Sequence, residues 1–256
     1  YLAEGDQEAA TFTYSVADEY GATHQAQVDV TITGVNDAPV ANQDAVSVLQ
    51  NGSSIFDPAE NDTDVDLGDT RRVTSVSNPT ANYGTAVLDP VTARVTYSTG
   101  SGFDYLAHNE QASETFSYTV EDRFNGTDQG NVVVTVTGVN DAPEAVDDVQ
   151  YISEDSSKTF DPTLNDRDVD NGDVLHLASA ELDSGARGEI EILANGQIHY
   201  DSSNKFDELP QGSSATESLT YSVSDQMGYQ SVGTVDIVIT GVNDAPVSSR
   251  DILTFL

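Results

Sequence analysis

The 256 residues carry 44 acidic against 9 basic side chains, a net charge of −35, with neither cysteine nor tryptophan. That balance excludes a nucleic-acid partner, which needs Lys and Arg clustered on one face. No disulfide or zinc–thiolate site can hold the fold, and no apolar run approaches the ~18–20 residues that cross a bilayer, so no membrane insertion is expected. In chain order, the first predicted strand alternates Phe12, Tyr14 and Val16 with polar residues and runs into Asp18 and a turn at Gly21. The hexapeptide Gly-Val-Asn-Asp-Ala-Pro follows at Gly34–Pro39. Next comes an acidic run, Asn61, Asp62, Asp64 and Asp66 with Asp69, and then Phe103 and Asp104. Phe116, Tyr118 and Val120 repeat the first alternation and lead to Asp122; Val132, Val134 and Val136 form a second alternating strand, closed by the hexapeptide at Gly138–Pro143.

The chain then says the same thing again. Asn165, Asp166, Asp168, Asp170 and Asp173 repeat the acidic run, and Ile190 to Ile192 and Gln197 to Tyr200 flank Ala194-Asn195-Gly196, a hairpin signal. Phe206 and Asp207 repeat Phe103 and Asp104, Leu219, Tyr221 and Val223 lead to Asp225, Val235, Ile237 and Ile239 alternate, and the hexapeptide returns at Gly241–Pro246. The three hexapeptides stand 104 and 103 residues apart. A unit of about 100 residues can bury a core of its own. The expected organisation is the last third of one module at 1–39, complete modules at 40–143 and 144–246, and the first strand of another at 247–256. Both ends are expected to be interior to a longer polypeptide.

Alternating strands, turn punctuation and no amphipathic helix of useful length predict an all-β fold: Ig-like β-sandwich modules in tandem, in a linear array, without the Ig disulfide. The proline of each hexapeptide ends the last strand and stiffens the entry to the next module.

The acids gather in two recurring places, Asn-Asp in each hexapeptide and the alternating run after it. Such crowding is tolerated if solvated, or if a hard cation takes several of the oxygens. The run superficially fits a helix–loop–helix calcium loop but fails in detail. Its glycine (Gly68, Gly172) stands at position seven rather than six, and position twelve is Val73 or Leu177 rather than glutamate. Capping of turns by Asp62 and Asp166 is the simpler role for those two, and Asp18, Asp122 and Asp225 equally fit turns before Gly21, Gly126 and Gly228. Of the four histidines, His24, His108, His176 and His199, none recurs in another module. No metalloprotease, nucleophile-elbow, P-loop or dinucleotide motif occurs. Carboxylate pairs recur where an active site would be single, so no enzyme is expected.

The hexapeptide, the Asp-x-Asp at Asp64–Asp66 and Asp168–Asp170, and the Asp-x-x-Gly at Asp18 resemble cadherin junction signatures. The whole module resembles the cadherin-like or VCBS repeats of bacterial repeats-in-toxin (RTX) adhesins. The resemblance implies Ca²⁺ bound where modules meet. The implied ligands are the Asn36 backbone carbonyl, Asp37, Asp64, Asp66 and Asp122 at the first junction, and Asn140, Asp141, Asp168, Asp170 and Asp225 at the second. Asn243 and Asp244 would begin a third, with Glu154 as the glutamate the family carries in its first strand; Gln50 stands there in the preceding module. The resemblance further implies an extracellular extender on a bacterial surface, exported by a type I route. Its partners would be its neighbouring modules, with host-cell, biofilm or surface ligands reached through other domains. Two other readings stay open: glycan or protein binding by these modules, for which Tyr83, Phe124, Tyr151 and Tyr229 are candidate exposed aromatics, and halophilic solvation without a specific ion.

Overall fold

The computed structural model describes residues 1–202, 205–246, 248 and 250. Of the strand expected at 247–256, all but residues 248 and 250 fall outside these residues. The chain divides into two compact units, Tyr1–Val139 and Asn140–Leu256, and among the described residues no helix is long and apolar enough to cross a membrane.

The first unit opens with a hairpin, β1 (Gln7–Ala17) and β2 (Thr23–Thr33). Seven further strands follow: β3 (Asp44–Leu49), β4 (Ser53–Phe56), β5 (Arg72–Val76), β6 (Gly84–Leu88), β7 (Val95–Thr99), β8 (Gln111–Glu121) and β9 (Thr127–Thr137). They form a sheet in the order β3-β9-β8-β5 and a second in the order β4-β7-β6. The second unit repeats this with β10 (Asp148–Ser153), β11 (Ser157–Phe160), β12 (His176–Leu182), β13 (Glu189–Ile192), β14 (Ile198–Asp201), β15 (Ser214–Ser224) and β16 (Gln230–Thr240), ordered β10-β16-β15-β12 and β11-β14-β13. In each unit the two sheets share one core, so each unit holds a β-sandwich.

The predicted alternation sets that core. Phe116, Tyr118 and Val120 on β8 and Val132, Val134 and Val136 on β9 are buried with Val95 and Tyr97 of the opposing sheet. Leu219, Tyr221, Val223, Val235, Ile237 and Ile239 pack on Ile198 and Tyr200 in the same way. Side chains of period two fill one face, and their burial supplies the main stabilisation. Phe12, Tyr14 and Val16 on β1 match the buried β8 residues in sequence but are exposed, in the two-stranded sheet of β1 and β2.

The opening strand of each unit's sandwich joins its sheet by pairing parallel with the last: Asp44 to Leu49 run beside Val132 to Thr137, and Asp148 to Ser153 beside Val235 to Thr240. A buried glutamate ties the sheets further. Tyr97 donates its hydroxyl to Glu114, which also accepts the Gly84 N–H at 2.9 Å. Tyr200 and Gly188 meet Glu217 at 2.8 and 3.0 Å.

The predicted hairpin at Asn195-Gly196 forms between β13 and β14, with Gly196 at φ +83°. The matching turn between β6 and β7 places Ala93 at φ +58°, its N–H donating to the Asp89 carbonyl at 2.8 Å. A left-handed alanine costs about 1–2 kcal/mol, whereas glycine there loses only its extra chain entropy. Ala93→Gly is therefore expected to stabilise the first unit by about 0.5–1 kcal/mol, read as a rise in the denaturant midpoint at unchanged slope.

Candidate metal centre

Each centre begins with the peptide that carries the Asn-Asp pair. In the first unit the Asp37 N–H donates to Asp66 Oδ2 at 2.9 Å, and the Asn36 side-chain amide donates to Asp122 Oδ2, also at 2.9 Å. In the second, the Asp141 N–H reaches Asp170 Oδ2 at 2.9 Å and the Asn140 amide reaches Asp225 Oδ2 at 2.7 Å. The acidic run folds on itself through short local bonds. Asp64 Oδ1 accepts the Asp66 N–H and Asp168 Oδ1 accepts the Asp170 N–H, both at 2.9 Å. The chain then turns through Gly68 (φ +80°) and Gly172 (φ +83°), a conformation that favours glycine, and this brings Asp69 and Asp173 back toward the run.

The result is two matching carboxylate groups. Ligand oxygens of Asp64, Asp69 and Asp122 all lie within 4.8 Å of one another, as do those of Asp168, Asp173 and Asp225. Asp122 and Asp225 sit in the β8–β9 and β15–β16 turns and are 5% and 1% exposed. Asp122 Oδ1 accepts the Phe124 and Gly126 N–H groups at 2.7 and 2.8 Å, and Asp225 Oδ1 accepts the Tyr229 N–H at 2.8 Å. The turn role and the cluster role therefore fall on the same side chains. Burial alone would raise the Asp122 carboxyl, but the Asn36 amide and these backbone N–H groups hold it below the usual carboxylate range. Asp170 is raised by burial and then by its acidic neighbours, Asp168 among them; Asp173 is raised by burial and then by Asp168 and Asp225.

These groups fit a hard cation. Buried oxygens without a hydrogen-bond partner remain on Asn36, Asp64, Asp66 and Asp69 in the first unit, and on Asp168, Asp170 and Asp173 in the second. Unsatisfied buried oxygens are costly, and Ca²⁺ takes six to eight oxygen ligands of this chemistry. Donors made only of oxygen do not suit softer metals.

The structure brings Asp64, Asp122, Asp168 and Asp225 into the carboxylate groups, and adds Asp69 and Asp173 of the acidic run, which lie outside the ligand set the resemblance implies. Asp66 and Asp170 each receive a backbone N–H from the Asn-Asp peptide and keep one oxygen unpartnered. At Asn36 the side-chain amide meets the cluster. Asp37 is exposed and contributes its N–H. Glu154 is fully buried, accepts the Val242 N–H at 2.7 Å on Oε1 and leaves Oε2 without a partner. Gln50 accepts the Val139 N–H at 3.1 Å in the same way. Asp244 is exposed at the end of the second unit, its carbonyl accepting from the Asn243 amide at 3.4 Å.

The centres differ in the residue that follows the turn aspartate. Arg123 lies 3.4 Å from Asp69 Oδ1 and over the Phe124 ring, whereas Gln226 takes its place in the second unit and donates to the Gly172 carbonyl.

A second carboxylate pair lies at the head of each sandwich. Asp62 Oδ1 accepts the Asn42 N–H and the Tyr118 hydroxyl, both at 2.7 Å; Asp166 Oδ1 accepts the Val146 N–H and the Tyr221 hydroxyl at 2.7 and 2.8 Å. Asp62 and Asp166 thus anchor the entering chain to the core tyrosine. Asp44 and Asp148 stand beside them and are pushed up to about 6, by burial first and by Asp62 and Asp166 next. A raised carboxyl favours the fold below its folded value and loses that contribution as pH climbs through it. In metal-free buffer, stability is expected to rise by on the order of 1 kcal/mol per unit, after solvent screening, as pH falls from 7.5 to 5. The Asp44→Asn, Asp148→Asn double variant should show a flatter profile of melting temperature against pH, and an equally steep one would remove these two carboxyls as the cause.

The model of the bacterial cadherin-like domain family matches residues 36–138 and 140–241. No curated protein matches the chain. Among solved structures, it is similar to the human desmocollin-1 ectodomain at 13% identity and TM-score 0.43, over 93% of this chain and 48% of that one, so it spans about half that ectodomain's length. It is similar to extracellular cadherin domains 1–4 of protocadherin gamma B7 at 18% identity and TM-score 0.43, covering 91% of this chain and 66% of that one. It is also similar to the human mucin-like protocadherin EC1-2 at 15% identity and TM-score 0.45, covering 80% and 98%.

Proposed function

Because the chain belongs to the bacterial cadherin-like domain family, we propose that it is an extender segment of a large secreted surface adhesin, stiffened by calcium where its modules meet. Domains of this kind are extracellular adhesion-type modules. The observation that carries the calcium reading is the repetition of one donor set in both units: an Asn-Asp peptide bonded to the acidic run and to the turn aspartate, with buried carboxylate oxygens left over. The proposed ligands are drawn from Asn36, Asp64, Asp66, Asp69 and Asp122, and from Asn140, Asp168, Asp170, Asp173 and Asp225, with Asp37, Asp141 and Asp244 at the connecting peptides. Calcium would supply the positive charge that these carboxylates lack. The residues themselves do the positioning. Asp66 and Asp170 hold the connecting peptide by its N–H, Asn36 and Asn140 tie it to the turn aspartates, and the proline that follows restricts the exit direction. Ion binding to the ordered centre alone also stabilises the folded module by mass action.

Small-angle scattering of the chain in excess calcium and in chelator tests this reading. Calcium should give a longer and narrower distribution of interatomic distances; identical curves would favour an acidic surface solvated without a specific ion. The junction that follows Gln50 is expected to bind more weakly than one that follows a glutamate, since an amide contributes no charge. Gln50→Glu is expected to tighten calcium at the Asn140–Asp141 junction by about tenfold, within the range over which ligand charge tunes such sites, in a calorimetric titration.

A further inference from the structure

Four Asn-Gly pairs occur in the chain, at Asn51-Gly52, Asn125-Gly126, Asn171-Gly172 and Asn195-Gly196. An asparagine before glycine can react with itself. The glycine nitrogen attacks the side-chain amide carbon, a C–N bond closes the ring as the C–N bond to ammonia breaks, and the nitrogen's proton passes to solvent base. Water then opens the succinimide at either carbonyl, leaving aspartate or isoaspartate. The reaction needs a glycine nitrogen free to approach, and an N–H already donating resists it.

Three of the four nitrogens are engaged. Gly52 donates to the Leu49 carbonyl at 3.0 Å and to the Thr99 hydroxyl at 2.9 Å. Gly126 donates to Asp122 Oδ1 at 2.8 Å, and Gly196 to the Leu193 carbonyl at 2.9 Å. The Gly172 N–H donates to no acceptor among the described residues. Asn171 and Gly172 are both exposed, and no atom lies within 4 Å of where a Gly172 Cβ would stand. The first unit has Leu67 at the matching position, which cannot react.

We infer that Asn171-Gly172 is a self-modification site in the acidic loop of the second unit, converting by intramolecular succinimide formation to aspartate and isoaspartate. The site lies between Asp170 and Asp173. Isoaspartate inserts a methylene into the backbone joining them, and either product adds a negative charge among carboxylates that already repel one another. The conversion in chelator needs no calcium. Its effect on the centre rests on the calcium reading above.

Peptide mapping by mass spectrometry of the whole chain, aged at mildly alkaline pH in chelator, tests the assignment. Asn171 is expected to convert about tenfold faster than Asn51, Asn125 or Asn195, the factor that one hydrogen bond on the attacking nitrogen accounts for. Asn171→Leu, which copies the first unit, should abolish conversion there and leave the other three rates unchanged. Conversion at Asn171 no faster than at the other three overturns the inference. A parallel sample aged in excess calcium separates the two readings. A slower rate supports an ion holding this loop, and an equal rate counts against that ion while the modification stands.

Discussion

Asp168→Asn is expected to move the second unit's stability in opposite directions with and without calcium. In chelator the variant should be more stable than the parent by about a few tenths of a kcal/mol after solvent screening, because one of the charges that raise Asp170 and Asp173 is gone. The asparagine carbonyl can still accept the Asp170 N–H that Asp168 Oδ1 receives at 2.9 Å, so the local turn survives. In calcium the order should reverse. A carboxylate has become an amide whose nitrogen cannot ligate, and affinity is expected to fall by about two orders of magnitude, within the span set by ligand charge and number. Thermal unfolding with and without calcium reads both effects in one experiment. Solvation without a specific ion predicts no reversal. Asp225→Ala is the contrasting variant. Asp225 also accepts the Asn140 amide and the Tyr229 N–H, so its loss should destabilise the unit in both buffers, by about 3 kcal/mol.

Gly138→Ala is expected to destabilise the first unit by about 3 kcal/mol or more, at the upper end for an overpacked site. A Cβ on Gly138 would stand 2.2 Å from the Ala107 carbonyl oxygen and 2.4 Å from that of Leu106. Both are backbone atoms and cannot rotate away. Gly138 is also held on both sides, its N–H donating to the Glu110 carbonyl at 2.8 Å and its carbonyl accepting the Asn109 N–H at 3.1 Å. The other two hexapeptide glycines meet the same obstacle: Gly34 at 2.3 Å from the Ala3 carbonyl oxygen and Gly241 at 2.5 Å from that of Pro210. The glycine that opens each hexapeptide is therefore there for space. An unfolding free energy within about 1 kcal/mol of the parent's, from denaturant titration, would show that the loop around Leu106 and Ala107 yields.

Much of this was legible in the residues because the decisive patterns are local. Period-two alternation marked β8, β9, β15 and β16, and Asn195-Gly196 marked a turn. Two features needed the third dimension. Asp69 and Asp173 join the carboxylate groups only because the chain reverses at Gly68 and Gly172, and a reversal is not a spacing. The parallel pairing of β3 with β9 joins segments far apart in sequence, with no local signal. Glu114 and Glu217 fall on the inward parity of their strands, in step with Phe116 and Leu219. A charged residue on a buried parity announces a buried partner, here Tyr97 and Tyr200.

That parallel pairing sets how each sandwich would respond to tension along the chain. The pull enters at the start of β3 and leaves at the end of β9, and these lie at opposite ends of one ladder. The hydrogen bonds from Asp44–Val132 to Leu49–Thr137 are then sheared together, rather than unzipped singly as between antiparallel strands pulled from one end. β10 and β16 repeat the clamp. Resistance to rupture is governed by the rate of crossing the unfolding barrier rather than by equilibrium stability, so a module of modest stability can still carry load along a tether.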